Sequence, residues 1–238
     1  LDAANYEPTT VRGDFLSSDE VPGMQSCSIN FRVALHGDGA GTKGVAPEYA
    51  DALLACGYLE TIVAATSVTY TPTSTFDGST PAGQRYPAAS YSVTVLEDGV
   101  AYKLKGGFGN VVFEGVVGEP MFANFTFSGA FSDVDDDALE TVTYDVGAPP
   151  SFRGASFALG GAIGAYTPRG VQNVTLDTGN QVVAVADIND DSGVYGARIV
   201  GRKSVGSFDP EMVLVATNPY YDDWKAGTTG SITTGVIG

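Results

Sequence analysis

The sequence is short of the residues that build metal and catalytic centres. Its 238 residues include one histidine, two cysteines and one tryptophan. A structural zinc ion takes four ligands, mostly Cys and His, and this chain cannot supply them. A Ser-His-Asp triad would have to use His36, which has no nucleophile-elbow motif beside it. We therefore expect no cofactor and no catalytic triad.

Positive charge is also scarce. Twelve Lys and Arg stand against 28 Asp and Glu, which gives a net charge of −16 without a segregated acidic tail. Nonspecific DNA-binding proteins gain affinity by neutralising phosphates with basic residues, so a role in gripping DNA is not expected. The acidity serves either general solubility or the repulsion of a passing polyanion.

Long apolar runs are missing as well. No stretch approaches the roughly 18 residues needed to span a bilayer, so no membrane insertion is expected. Hydrophobic residues still make up 43% of the chain, which suffices for a full core at this length. Cys27 falls on a buried-looking strand and Cys56 at a helix end. Free buried thiols are favoured over a disulfide, and the redox state of the pair stays open.

One short amphipathic helix is predicted over residues 47–56. Apolar residues recur there at helical spacing, Pro47 stands where a first turn tolerates proline, and Gly57 stands where a left-handed C-cap is favoured. We expect this helix to lie as a plug or lid on a sheet. The residues expected to pack it there are Tyr49, Leu53, Leu54 and Cys56.

The rest of the chain has the patterning of β-structure, in short alternating runs separated by turn residues. Residues 97–99 favour a hairpin turn, and Phe125 and Phe127 are expected to share a buried face. Residues 219–224 favour a helical turn. Predicted strands cover residues 29–35, 60–63, 67–70, 91–95, 101–105, 110–117, 122–129, 141–145, 171–177, 181–185, 195–205 and 211–216. The predicted fold class is all-β, a β-sandwich or barrel with one short helix.

The chain is expected to form one β domain over residues 25–226. An extended arm precedes it over residues 1–24, and a Gly- and Thr-rich tail follows over residues 227–238. A Ser-, Thr-, Gly- and Pro-rich loop is predicted over residues 71–90. Loops of that length in a compact domain are usually functional or ordered by a partner.

Several motifs suggest chemistry that their context does not support. Residues 39–44 match G-x-G-x-x-G with Glu60 about 20 residues on, but the helix is too short for a crossover and no βαβ alternation follows. Residues 133–137 and 187–193 resemble calcium loops but lack the required glycine and the twelfth-position acid, so solvated turns are favoured. A glycosidase carboxylate pair cannot be singled out among 28 acids.

The order of several weak motifs resembles the tail tube proteins of long-tailed bacteriophages. Their colinearity from about residue 24 to residue 230 is more specific than any one of them, although the arm and residues 145–165 match nothing in that family. The motifs that carry the resemblance are residues 28–35, Gly41-Thr42-Lys43-Gly44-Val45-Ala46-Pro47, residues 53–58, residues 68–74, Glu97-Asp98-Gly99, residues 105–111, Gly118-Glu119-Pro120, residues 125–129, Gly201-Arg202-Lys203 and residues 207–211.

This resemblance implies a structural virion protein rather than an enzyme. Subunits of that family form hexameric rings that stack into a hollow tail tube, through which the genome passes on ejection. The implied location is the virion, after assembly in the host cytoplasm. The implied partners are other copies of the chain, the tape measure, tail terminator and tail tip proteins, and DNA in transit without sequence-specific binding.

Two sets of residues follow from this hypothesis. The long loop is expected to contact the next ring, with Thr73, Phe76, Asp77, Arg85 and Tyr86 as candidates. Acidic side chains on polar strand faces are expected to line the channel, with Glu114, Asp98 and Asp177 as candidates.

Two rival functions belong to other classes. A carbohydrate-binding or adhesin-type β-sandwich would also be acidic and rich in aromatics, but it should present a planar aromatic patch, and Trp224 is the only tryptophan. A secreted glycosidase would need a cleft with two carboxylates.

Overall fold

The structure is a computed structural model of the 238-residue chain. It describes residues 2–6, 8, 20–38, 41–73, 90–142, 147–161, 167–214, 216–217 and 220–234. Within those residues, neither helix has the length or the apolarity to cross a bilayer.

The fold is all-β with short helices, which confirms the predicted class: strands make up 54% of the structure and helices 7%. The strands are β1 (Asp2–Tyr6), β2 (Val21–Ala34), β3 (Tyr58–Val63), β4 (Ser67–Pro72), β5 (Tyr91–Glu97), β6 (Val100–Val116), β7 (Phe122–Asp136), β8 (Ala158–Gly161), β9 (Asn173–Asp177), β10 (Asn180–Ala186), β11 (Val194–Arg202), β12 (Val205–Phe208) and β13 (Gly230–Thr233); the helices are α1 (Ala50–Ala55) and α2 (Tyr220–Ala226).

A seven-stranded antiparallel sheet forms the body and curls into half a barrel. Its order is β1-β2-β7-β6-β9-β12, and β5 also pairs with β6. The long β6–β7 hairpin is the axis of the sheet. Beside β6, β5 occupies the half near Tyr102, and β9 occupies the half from Val112 to Val116.

One face of the sheet carries an aromatic core. Phe31 on β2 lies opposite Phe125 on β7, and their ring centroids are 5.2 Å apart. Phe127 continues the group, 5.8 Å from Phe31 and 5.3 Å from Tyr91. Alternate residues of a strand point to opposite faces, so the aromatic positions form one buried side, as the sequence predicted. Helix α1 packs on this side, where Leu53 joins the core.

A second layer is formed by the β10–β11 hairpin, which packs against β6 and β7. The hairpin crosses β6 where two glycines meet. A Cβ at Gly196 would lie 2.8 Å from the carbonyl oxygen of Gly106, so a side chain would hold the hairpin away from the sheet. Gly106 also has a φ of 59° and lies in an irregularity of the β6–β7 pairing.

The ends of the chain are joined to the body. Strand β1 pairs with the beginning of β2, and β13 pairs with β8. The predicted boundaries at residues 24 and 227 stay predictions, but residues on both sides of each boundary take part in β-pairing. Strands β3 and β4 form a separate two-stranded hairpin directly after α1.

Several predicted elements are corrected by the structure. Residues 101–105 and 110–117 belong to the single strand β6, because the glycines between them allow an irregularity without ending the strand. Residues 133–136, expected in a solvated turn, extend β7 because β6 supplies their pairing partners. Residues 211–214 form no strand, nor do residues 141 and 142, and residues 143–146 and 215 lie outside the described part. Beside α1 there is a second helix, α2, where a helical turn was expected.

Candidate assembly surfaces

The face of the sheet opposite the aromatic core is polar where the β10–β11 hairpin leaves it open. Strand β2 exposes Asn30 and Arg32 between its core-facing residues. In register, Arg32 lies opposite Asn124, and Asn30 lies opposite Thr126. Amide and hydroxyl groups therefore form a wet surface on the side opposite the aromatic core.

The charges on this face are matched in part. The guanidinium of Arg32 lies 3.8 Å from a carboxylate oxygen of Glu114 and stacks 3.7 Å above the ring of Phe122. Both charged side chains are about half exposed, so the pair contributes little to stability. The pair acts on the local charge of this face, because the positive charge of Arg32 offsets the negative charge of Glu114, one of the acids proposed for the channel.

Asp177 lies on the same face, on strand β9 beside β6. Val112, the partner of Asn124 on β6, pairs with Asp177 on β9. The Asp177 carboxylate accepts hydrogen bonds from Asn110 Nδ2 at 2.7 Å and from the backbone N–H of Gly179 at 2.8 Å. This acid is half-buried and partly engaged in internal hydrogen bonds.

The third channel candidate is far from the other two. Asp98 occupies the turn between β5 and β6, with a φ of 49°. Glu114 lies near the opposite end of β6, roughly 50 Å away at about 3.3 Å per residue. The structure therefore brings Glu114 and Asp177 to one face but not Asp98.

Leu53 in α1 and Cys56 directly after it are buried in the core, at 4% and 0% exposed. Burial raises the pKa of the Cys56 thiol. The hydroxyl of half-buried Tyr49 donates to the His36 carbonyl at 2.7 Å, and burial raises its pKa as well. Leu54 is half-buried and lies outside the core cluster. Neither cysteine forms a disulfide; Cys27 is half-buried.

The carbonyls at the end of α1 are held by an arginine that the sequence did not single out for this role. Arg202 at the end of β11 donates to the carbonyls of Cys56 and Gly57, both at 3.0 Å. It also donates to Asn180 Oδ1 at 2.7 Å and to the Thr73 carbonyl at 3.2 Å. A cation at a helix C-terminus is favoured by the helix dipole. In the sequence, Arg202 was only part of a family-like motif.

Among the inter-ring candidates, only Thr73 is described. It follows β4, and its N–H donates to the Gly57 carbonyl at 3.0 Å. Phe76, Asp77, Arg85 and Tyr86 lie outside the described residues.

The suspected calcium loop over residues 187–193 is a hydrogen-bonded turn. Asp187 Oδ1 accepts from the backbone and side-chain nitrogens of Asn189, both at 2.9 Å. Asp190 accepts from Ser192, which lowers the Asp190 pKa. In the described part of the chain, His, Cys, Asp and Glu form no group suited to a metal ion.

The glycine-rich segment lacks the nucleotide-binding context. Residues 39 and 40 lie outside the described part. The chain continues from Gly44 through α1 into the antiparallel β3–β4 hairpin, whereas a dinucleotide site needs a parallel crossover.

Hydrophobic side chains remain exposed over much of the described surface. On the β3–β4 hairpin, Leu59, Ile62 and Val63 are each at least half exposed. On the described residues, β1, β5 and β12 each pair along one side only. An isolated two-stranded hairpin is marginally stable in water, and free sheet edges are natural sites of strand pairing between chains. These features are candidate surfaces for association with another chain.

Comparison with known proteins adds no family to this description. No protein-family model matches the chain, and no curated protein matches it.

Proposed function

We propose that this chain is a structural subunit that forms hexameric rings, and that the rings stack into the hollow tail tube of a long-tailed phage. The supporting observation is a curled sheet with one face closed by α1, the other face polar and partly open, and strand edges that are free within the described residues. Copies joined edge to edge would form a continuous cylinder, because closure pairs the edges that a single copy leaves open.

In this arrangement the polar face lines the channel and α1 lies outside. Asn30, Asn124 and Thr126 give the wall short neutral side chains. Glu114 and Asp177 add negative charge, of which Arg32 offsets a part. A chain with a net charge of −16 repels DNA at short range, so the genome slides through without being held. A density map of tubes with a neutral or basic channel would reject this assignment.

The basic test is microscopy of the purified chain. Negative-stain images should show rings with a central hole, and rods at higher protein concentration. Light scattering after gel filtration should give a mass of about six subunits for the ring. A monomer at every concentration would contradict the proposal.

The loop over residues 71–90 is proposed to contact the next ring. The tape measure, terminator and tip proteins are proposed as further partners of the tube. Replacing residues 74–89 with a short Gly-Ser linker should leave rings intact and abolish rods. Normal rods from that variant would refute the role of the loop.

A carbohydrate-binding role is the second candidate, because α2 exposes Trp224 and Tyr221 to 78% and 61%. Aromatic faces of this kind can stack on sugar rings. Glycan-array binding that is lost in Trp224→Ala, from a protein that stays monomeric, would favour this candidate over the tube.

A further inference from the structure

The far end of the sheet carries an uncovered apolar row, formed by Val95, Tyr102 and Val134 on neighbouring strands β5, β6 and β7. Tyr102 lies directly opposite both valines, so the three side chains share one face. They are 39%, 41% and 44% exposed. We name this group the distal row.

The distal row continues the core and ends in carboxylates. Two residues inward on the same face lie Leu104, which belongs to the core cluster, and Val93, which packs against it. Two residues outward lie Glu97 and Asp136, both opposite Val100. A partner for this surface must bring an apolar group for the row and a positive charge for the rim.

Helix α2 carries that combination on one face. Tyr221, Trp224 and Lys225 are spaced i, i+3 and i+4, so their side chains are neighbours on the helix surface. Tyr221 and Trp224 are 61% and 78% exposed, and Lys225 is exposed. The described residues contain no ion pair that engages Lys225.

The row and α2 lie at opposite ends of β6. Tyr220 and Tyr221 line a cleft with Phe208 at the end of β12, and Phe208 is in register with Val174, which pairs with Gly115. Gly115 is 13 residues from Tyr102 along β6, roughly 40 Å at about 3.3 Å per residue. The two surfaces of one copy therefore cannot meet each other.

We propose that α2 of one copy docks on the distal row of the next copy, head to tail, with Trp224 on the row and Lys225 against Glu97 and Asp136. Such a contact is heterologous, and repeated contacts of this type generate an open-ended stack. The inference rests on the proposed ring assembly and names a second contact, besides that of the loop, by which one ring holds the next.

A single contact of this size is weak. Three apolar side chains against one helix face bury far less than the roughly 1,000 Å² expected of a stable interface. Six equivalent contacts in a ring would act together, because each one formed makes the others intramolecular. Stacking should therefore depend steeply on ring integrity.

The test compares rod formation by the full chain with that of two variants, Trp224→Ala and Lys225→Glu. Both should still form rings, and the protein concentration needed for rods should rise at least about tenfold, since removal of a central aromatic anchor weakens binding strongly. Trp224 is the only tryptophan, so in the wild type its emission should shift to shorter wavelength on stacking and not on ring formation.

A charge exchange and a matched control establish specificity. Glu97→Lys with Asp136→Lys should restore stacking to Lys225→Glu, whereas Ile188→Ala, a change at a 99% exposed side chain in the 187–193 turn, should leave rods unchanged. Rods from Trp224→Ala at the wild-type concentration would overturn this contact while leaving the proposed tube intact. A wild-type chain that never forms rings would overturn both.

Discussion

Arg202 is a side chain that joins distant parts of the chain. Its guanidinium connects the end of α1, the residue after β4 and the β10–β11 hairpin through hydrogen bonds of 2.7–3.2 Å. Asn180 supports it by donating to the Cys56 carbonyl at 2.7 Å and to the Gly109 carbonyl at 2.9 Å. The exit of the chain toward the long loop is thereby tied to the body.

Removing this cation should destabilise the subunit. Arg202→Met leaves the Cys56 and Gly57 carbonyls short of donors, and we expect the free energy of unfolding to fall by about 2 kcal/mol, a typical value for charged hydrogen bonds. Urea unfolding followed by circular dichroism measures the change. Arg153→Met is the matched control, because Arg153 is exposed and surface changes usually stay within about 0.5 kcal/mol. Equal stability of the two variants would contradict this role.

Asp209 makes the stability of the fold depend on pH in the acid range. Its carboxylate accepts from the backbone N–H groups of Asn173 at 2.7 Å and Gln172 at 2.9 Å. These hydrogen bonds, that of Asn173 first, lower its pKa below the ordinary 3.8. Because the folded pKa is the lower one, the stabilisation is present above pH 3.8 and is lost as pH falls through the folded value.

We expect the melting temperature of Asp209→Asn to fall less on acidification than that of the wild type. The wild-type melting temperature should exceed that of the variant at pH 6, and the difference should close as pH falls below about 3.8. Thermal melts between pH 2.5 and 6 provide the measurement. Parallel curves over the whole range would show that Asp209 does not carry this linkage.

Helix α1 has two adjacent leucines with unequal roles. Leu53 is 4% exposed in the core cluster, whereas Leu54 is half-buried and outside it. Leu53→Ala should lower the free energy of unfolding by about 3 kcal/mol, within the range for buried leucines. Leu54→Ala should cost about 1 kcal/mol, because less surface leaves the core. Denaturant midpoints of the two variants make the comparison, and a larger loss for Leu54→Ala would reverse the packing described for α1.

At the scale of the strands, the alternation of apolar and polar residues predicted which side chains face the core. It did not predict where a strand ends. The glycines at 106, 107 and 109 suggested a break, yet β6 runs through them because neighbours on both sides keep it paired. The acidic residues after Phe131 suggested a turn, yet they belong to β7 and pair with β6. Strand ends depend on available partners, and local composition does not specify partners.

At the scale of the whole molecule, charge opposes association. Each copy carries a net charge of −16, and like-charged subunits repel over roughly 10 Å at 0.1 M salt and over longer distances in more dilute salt. Raising NaCl from 20 to about 300 mM should therefore increase the fraction of protein in rods. Sedimentation of the rods at several salt concentrations measures this, and rods that dissociate as salt rises would show that ion pairs dominate the contacts.

The sequence by itself determined the all-β class, the aromatic side of β7 and a helix predicted over residues 47–56, which the structure shortens to Ala50–Ala55. Each depends on residues close together in the chain, where spacing and turn residues suffice. The phage-tail function also began there, as a resemblance, and it remains a proposal.

Only the tertiary structure decided which distant groups meet. Arg202 binds the carbonyl of Cys56, which directly follows α1 and lies 146 residues earlier, and the distal row joins three strands through their register. Glu114 and Asp177 share a face because β9 pairs beside β6. The physical reason is that all segments of the chain compete for pairing partners and for places in the same core. A local sequence pattern does not specify the outcome of that competition.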